Sequence, residues 1–467
     1  MHKADVMVTK KLSEFVVDTA AGSIPDALIQ KAHDALLDTL GVTLAGARED
    51  ASGIAQAWAA ETGARPVSRI LGTAQSSSPA EAAFANGIAA HALDFDDSLP
   101  SMRGHPSATL VPVILAVGEA ARSSGREVLT SYLLALEIGG KLGRAIGHNH
   151  YLRGWHSTST IGAFTATAAA ARLWRLDGEQ LRTAWGIAAS MSSGLVRNFG
   201  TMTKPFHTGH AARVGITAAW MARSGLSADP AIFDGDNGFL QVYGFGEGEN
   251  LADLAVSLGQ AWEIERPGMY VKGWPCCYCN HRPVGGLLQL MTENDIKPDD
   301  IREIAVGFVP GSDRALIKDN PQTGLEAKFS IEYAAAAAAL DGTLGLDSFT
   351  DEAVHRPRIR ALMKRVRRYR VEAEGIFSGV VGFTDVTVET GKGSFSMRVD
   401  RVPGSPEWPL SPAEREHKFL DCAARALGLA GARSLLALGR RASQLHDISE
   451  LTAASVPEQQ ATAGKRA

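Results

Sequence analysis

The chain has 467 residues, 45% hydrophobic and 21% charged, which excludes disordered and fibrous classes and is too long for one ordinary core. A formal net charge of −4 leaves no electrostatic footprint for nucleic acid, yet it is compatible with a local basic pocket for an acidic small molecule. Four cysteines in so long a chain do not make a disulfide framework. Cys276, Cys277 and Cys279 fall together and read as reduced thiols in a partly buried loop, with no metal expected.

The opening MHKADVMVTKKLSEFVVDTA contains Asp5, Glu14 and Asp18 and no long apolar stretch, so it does not read as a targeting signal. From there the first half is helix after helix. LIQKAHDALLDTLGVTLAG has apolar residues at helical spacing and ends on glycine. Ser78-Pro79-Ala80-Glu81 has the form of a capping box with proline at the first helical position, predicting a helix that stops near Asp94. Another opens after His105-Pro106, followed by VLTSYLLALEIGGKLGRAIG, TIGAFTATAAAARLWRL, GEQLRTAWGIAASMSSGL and HAARVGITAAWMARSG. These helices are rich in alanine and glycine, which lets helices approach closely.

The pattern changes after about Pro267. IREIAVGFVP, RRYRVEAEG, FTDVTVETG and SFSMRVDRV alternate apolar and polar residues between turn signals, which predicts strands. Helices are expected between them at RPVGGLLQLMTEN and FSIEYAAAAAAL, whose Ala334–Ala339 run is far shorter than a membrane span of about 20 residues. The helical period returns in SPAEREHKFLDCAARALGL, and the residues after about Val456 are polar and small, an expected frayed tail. The expected fold is mainly α with an α/β insertion. A discontinuous helical domain, 1–267 and 405–467, is interrupted by a smaller α+β lid domain, 268–404. The expected location is cytoplasmic, with no membrane and no nucleic acid partner. Gly244-Phe245-Gly246-Glu247-Gly248 has the wrong spacing for a dinucleotide loop and lacks the flanking strand and helix, so no cofactor is expected.

Five segments concentrate reactive side chains at element ends, where a rigid scaffold can present them. Asp94-Phe95-Asp96-Asp97-Ser98 leads into Arg103-Gly104-His105, and three carboxylates after a helix C-terminus oppose its dipole. That unfavourable placement suggests they orient a histidine or a cation. The spacing lacks the glycine and glutamate of a calcium loop. His156 precedes a run of hydroxyls and an alanine-rich helix, and Lys204 and His207 enter another helix among small residues. Lys272 and His281 flank the domain change, where ligand clefts form, and Tyr333 opens a buried alanine helix. Cations, imidazoles, one tyrosine and orienting carboxylates suit abstraction of a proton α to a carboxylate. The doubly charged intermediate of that step needs preorganised donors, and the base needs a tuned pKa.

NGIAAHALDFDD…GHPSATLVP, GWHSTSTIGAF, MTKPFHTGHAA, VKGWPCCYCNH, FSIEY and PLSPAEREHKF, in this order from about residue 80 to 419, resemble the MmgE/PrpD family. That family includes 2-methylcitrate dehydratase, cis-aconitate decarboxylase and iminodisuccinate epimerase. The resemblance implies a homodimer with a helical domain, a lid domain and a pocket between them. It places Asp94, Ser98, His105, His156, Lys204, Lys272 and Tyr333 at active-site positions, with Arg103, His207 and His281 as further candidates for binding substrate. The implied activity is a lyase removing water, or carbon dioxide, from a small di- or tricarboxylic acid, with epimerisation of a dicarboxylate as the alternative. His105, oriented by Asp94, or Lys204 would be the base. Lys272 and His156 would hold carboxylates, and Tyr333 or a histidine would protonate the leaving group. Ser98 stands where the family usually has threonine, the stretch LPSMRG differs, and Ala108 replaces an acidic residue of the methylcitrate dehydratase pattern. Substrate identity is expected to be decided there.

Overall fold

A computed structural model describes residues 7–375 and 377–457. Most of the expected frayed tail, and the first six residues of the chain, lie outside that range. Helices occupy Val8–Asp18, Asp26–Gly46, Asp50–Glu61, Pro79–Ala92, Pro106–Ala121, Gly125–Ile146, Gly162–Leu173, Gly178–Ala189 and Thr203–Arg223. Ser78 caps its helix through Glu81 N–H with Pro79 in the first turn, and Ser124 with Glu127 forms a full capping box for Gly125–Ile146. The 50–61 helix was not anticipated. Its first turn, Asp50-Ala51-Ser52-Gly53, looks like a turn, but Ser52, Ala55 and Ala59 pack inward.

The predicted close approach of helices is present and positions chemistry. The Pro79–Ala92 and Thr203–Arg223 helices cross where a Cβ on Gly87 would lie 2.8 Å from Gly209 Cα, and one on Gly209 would lie 2.3 Å from the Phe84 carbonyl oxygen. Neither glycine can become alanine without backbone movement. The crossing sets the beginning of one helix, at Lys204, beside the end of the other, at Asp94.

All four predicted strands form, as one sheet ordered 366–370, 301–308, 384–390, 393–399. Ile301–Phe308 pairs parallel with Val366–Arg370 and antiparallel with Thr384–Thr390, which forms an antiparallel hairpin with Gly393–Val399. The parallel pair needs a long crossover, which contains the Ile331–Asp341 helix and the short Asp351–Val354 and Pro357–Met363 helices. Two principal hydrophobic cores result. One gathers Val8 through Ile264 and resumes at Phe419, Ala423 and Leu435 in the Pro412–Gly439 helix, which packs on Asp26–Gly46. The other gathers Cys276 through Val399 around the sheet, joined by Phe199. The fold is therefore mainly helical with a smaller mixed-sheet region near the C-terminus. Among the described residues no helix is long and apolar enough to cross a membrane.

Candidate active site

A pocket opens between the two cores. From the helical side it is lined by Asp94, Ser98, Arg103, His105, His148, Tyr151, His156, Phe199 and Lys204, and from the sheet side by Cys277, Cys279, Arg314, Phe329 and the 377–380 loop. At its base Asp94 Oδ1 accepts from Lys204 Nζ at 2.6 Å and from Lys272 Nζ at 2.8 Å. Asp94 is 3% exposed, so burial pushes its pKa upward. The Lys204 and Lys272 charges outweigh that and hold the carboxyl well below its usual range.

Behind this pair, one carboxylate holds two histidines. Asp96 Oδ1 is 2.8 Å from His91 Nδ1 and Asp96 Oδ2 is 3.2 Å from His105 Nδ1. His105 Nδ1 also lies 2.8 Å from the Asp97 carbonyl, which can only accept, so Nδ1 carries the proton and Nε2 keeps its lone pair. Burial lowers the pKa of His105 and takes that of His91 down to about 3, despite the opposing charge of Asp96. His156 Nδ1 meets His207 Nδ1 at 2.9 Å, one donating and the other accepting. Burial and the Lys204 charge lower His207 to about 4, and burial with the His207 and Lys204 charges puts His156 well below the ordinary histidine value. The pocket floor at neutral pH is thus uncharged imidazoles around an ammonium–carboxylate cluster.

Six of the ten expected residues line the pocket: Asp94, Ser98, Arg103, His105, His156 and Lys204. Lys272 stands behind Asp94 rather than in the lining, committed to the Asp94 carboxylate and carbonyl. His207 backs His156. His281 is fully buried outside the lining, stacked on Tyr278 with ring centroids 4.6 Å apart. Tyr333 corrects the expectation most clearly. It belongs to the sheet-side core, and its hydroxyl donates to the Ser348 carbonyl, so its proton is already engaged away from the pocket. The orienting partner of His105 is also different from the expected one: Asp96 and the Asp97 carbonyl hold it, not Asp94. Sequence reasoning gave Asp96 only as one of three orienting carboxylates and assigned no role to His91, Tyr151, His148 or Arg314. His91 and Asp96 were within reach of it, both lying within three residues of Asp94, whereas Arg314 and the 377–380 loop carried no signal. All four cysteines are free and buried, and two of them line the pocket, which a bland loop reading did not foresee.

His91, Asp94, Asp96 and His105 offer ligand atoms within 4.8 Å of one another, a spacing a metal ion could bridge. Lys204 and Lys272 already neutralise Asp94, and Asp96 is occupied by two imidazoles. A divalent ion would add buried positive charge beside two ammonium groups, so this donor set fits an ion-paired organic site better than a metal.

A helical domain and a smaller mixed-sheet domain that close on such a cluster define a two-domain fold of enzymes working at an interdomain pocket. The chain belongs to the MmgE/PrpD family: the MmgE/PrpD N-terminal domain model matches residues 10–251 and the C-terminal domain model residues 274–442. The chain is similar to the cis-aconitate decarboxylase of Homo sapiens, 28% identical over 456 residues covering 95% of this chain and 94% of the human protein. The Mus musculus cis-aconitate decarboxylase is 27% identical, covering 95% of this chain and 92% of that protein. For the cis-aconitate decarboxylase of Aspergillus terreus the figures are 23% identity and 95% of each chain.

Proposed function

We propose that the protein is an acid–base lyase of a small tricarboxylate, and that its reaction is loss of carbon dioxide from an unsaturated tricarboxylate of the cis-aconitate kind. The observation carrying this reading is the charge of the pocket lining. Arg103, Lys204 and Arg314 face a single carboxylate, Asp94, so a polyanion balances the lining. The names of the similar proteins support the choice of reaction.

The reaction breaks the bond between a methylene carbon and its carboxylate. Carbon dioxide leaves, the electron pair forms a new carbon–carbon double bond at the methylene, and the former alkene carbon takes one proton. Lys204 Nζ, held by Asp94 and facing the rings of Phe199 and Phe329 at 5.2 and 5.1 Å, is the proton-bearing group assigned to that delivery. Arg103 and Arg314 hold the carboxylates that stay, and the neutral imidazoles of His105 and His156 accept or relay the proton between turnovers.

A dehydration is the second reading, favoured by the open Nε2 of His105, which suits a base that removes a proton α to a carboxylate. Proton NMR in deuterated water separates the two with cis-aconitate, citrate, methylcitrate and iminodisuccinate. Decarboxylation yields one solvent deuterium in a methylene-substituted dicarboxylate. Alkene formation from citrate or methylcitrate would establish the dehydratase instead, and deuterium in inverted iminodisuccinate without alkene would overturn both.

A further inference from the structure

Three successive carbonyls just beyond the Pro79–Ala92 helix each accept from a buried lysine out of a different part of the chain. Lys328 Nζ lies 2.7 Å from the Leu93 oxygen, Lys272 Nζ 2.8 Å from the Asp94 oxygen and Lys418 Nζ 2.9 Å from the Phe95 oxygen. Lys272 and Lys418 also have carboxylate partners, Asp94 at 2.8 Å and Asp38 at 2.8 Å. Among the described residues Lys328 has none within ion-pair distance. It is 4% exposed, its other hydrogen bond goes to the Pro275 carbonyl at 2.9 Å, and it faces the Phe349 ring.

A buried ammonium without a carboxylate is a destabilising choice, and an apolar side chain of the same length would avoid it. The end of a helix dipole offsets only part of that penalty. What the three amines secure is a backbone conformation. Asp94 sits at φ 52°, the left-handed region that a non-glycine residue adopts only when its surroundings impose it. The Leu93 and Asp94 carbonyls lie in the two peptide planes that flank Asp94 and are held by Lys328 and Lys272. Lys418 holds the next carbonyl, Phe95, and the Lys272 carbonyl at 2.9 Å, so the Asp94 carboxylate is aimed at Lys204.

We infer that Lys328 and Lys418 are positioning residues that lock the Asp94 backbone so that its carboxylate meets Lys204 in the pocket. Lys328 reaches across from the segment leading into Ile331–Asp341, and Lys418 from the Pro412–Gly439 helix, so the lock is built from elements distant in sequence. The inference rests on the acid–base reading of this pocket for its catalytic consequence, but its geometric content stands apart from any substrate.

Lys328→Met and Lys418→Met keep the length and apolar stem of each side chain and remove the donor. The crystal structure of either variant is expected to show Asp94 leaving the left-handed region and its carboxylate moving beyond ion-pair reach of Lys204. Turnover of the acid identified by NMR should fall about 10- to 100-fold in kcat with KM little changed, as for a displaced catalytic group. In the Asp94→Asn background the same lysine substitutions should add almost nothing to the loss. An unmoved Asp94 in both variants overturns the inference whatever the substrate, and so do losses that multiply fully with those of Asp94→Asn. If Asp94 moves in the variants while the wild type turns over none of the acids, the positioning stands and the proposed function falls.

Discussion

Lys204 Nζ lies 2.6 Å from Asp94 Oδ1, across 110 residues of sequence, because two glycines let their helices cross in contact. The pair is not isolated, since Lys272 shares the same oxygen. Removing the carboxylate therefore strands two buried ammonium groups, whereas removing one lysine leaves the other pair intact. Asp94→Ala is expected to cost about 3–5 kcal/mol of folding stability, the range for breaking a buried pair, and Lys204→Met distinctly less. Urea unfolding of both variants measures the difference, and equal losses would contradict the shared-oxygen geometry.

His105 owes its open Nε2 to Nδ1 being committed to the Asp97 carbonyl beside Asp96. His105→Ala should lower kcat by about 10²–10⁴-fold, the usual contribution of a positioned acid or base. Burial lowers the His105 pKa, so the acid limb of kcat/KM should fall below the ordinary histidine value of 6.5. Asp96→Asn removes the negative charge that opposes this lowering, so the limb should move further toward acid. A limb at or above 6.5 in the wild type would exclude His105 as the group that must be neutral.

Arg103 and Arg314 line the pocket, and among the described residues neither has a carboxylate within ion-pair distance. Arg103 donates to the Gly143 and Gly147 carbonyls at 3.1 and 3.2 Å, which leaves guanidinium donors for a ligand. Arg314→Gln is expected to raise the dissociation constant of tricarballylate, a tricarboxylate without a double bond, by about 10-fold or more, on the scale of a lost charge-assisted hydrogen bond. Binding of glutarate should change less. Calorimetric titration decides it, and equal loss for both ligands would show that Arg314 does not read a third carboxylate.

Asp97 supplies a stability test that needs no substrate. Burial pushes its carboxyl up to about 8, partly opposed by hydrogen bonds from Ser107, whose hydroxyl also meets Tyr132 at 2.7 Å. Between the unfolded value of 3.8 and about 8 the folded chain keeps this proton and the unfolded chain has lost it. The contribution of Asp97 to stability is therefore full at low pH and declines as pH rises through that window. Asp97→Asn lacks the slope, so its stability relative to wild type should improve steadily from pH 5 to pH 8 in urea melts. A constant difference would mean that Asp97 is ionised in the folded protein throughout.

Periodicity located the long helices and all four strands, since burying one face imposes the pattern on the sequence itself. It missed Asp50–Glu61, where packing overrides a turn-like start. In the site, residues clustered in sequence were legible: Asp94, Ser98, Arg103 and His105 come from one loop, and their chemistry is local. The unfavourable run of carboxylates after a helix was a true signal: Lys204 and Lys272 hold Asp94, His91 and His105 hold Asp96, and Ser107 donates to Asp97. Roles set by three-dimensional partners were not legible. Tyr333 looked like a proton donor until the Ser348 carbonyl took its hydroxyl, and nothing in the composition of Phe377–Val380 distinguishes a pocket wall from a glycine-rich loop.

Cys277 and Cys279 face the pocket, where the hydrogen bond between them lowers the pKa of the Cys277 thiol and raises that of Cys279. Cys276 and Cys422 lie away from it, and burial raises the pKa of both of those thiols, to about 12 for Cys422. The molecule thus carries its own occupancy gauge. A thiol reagent entering through the pocket reacts at Cys277, whose thiol is the more readily ionised of the pair, and a ligand seated against Lys204 stands in its way. The rate of labelling at Cys277, counted by mass spectrometry, reports how full the pocket is, and candidate acids can be ranked by the protection they give even when none of them is turned over.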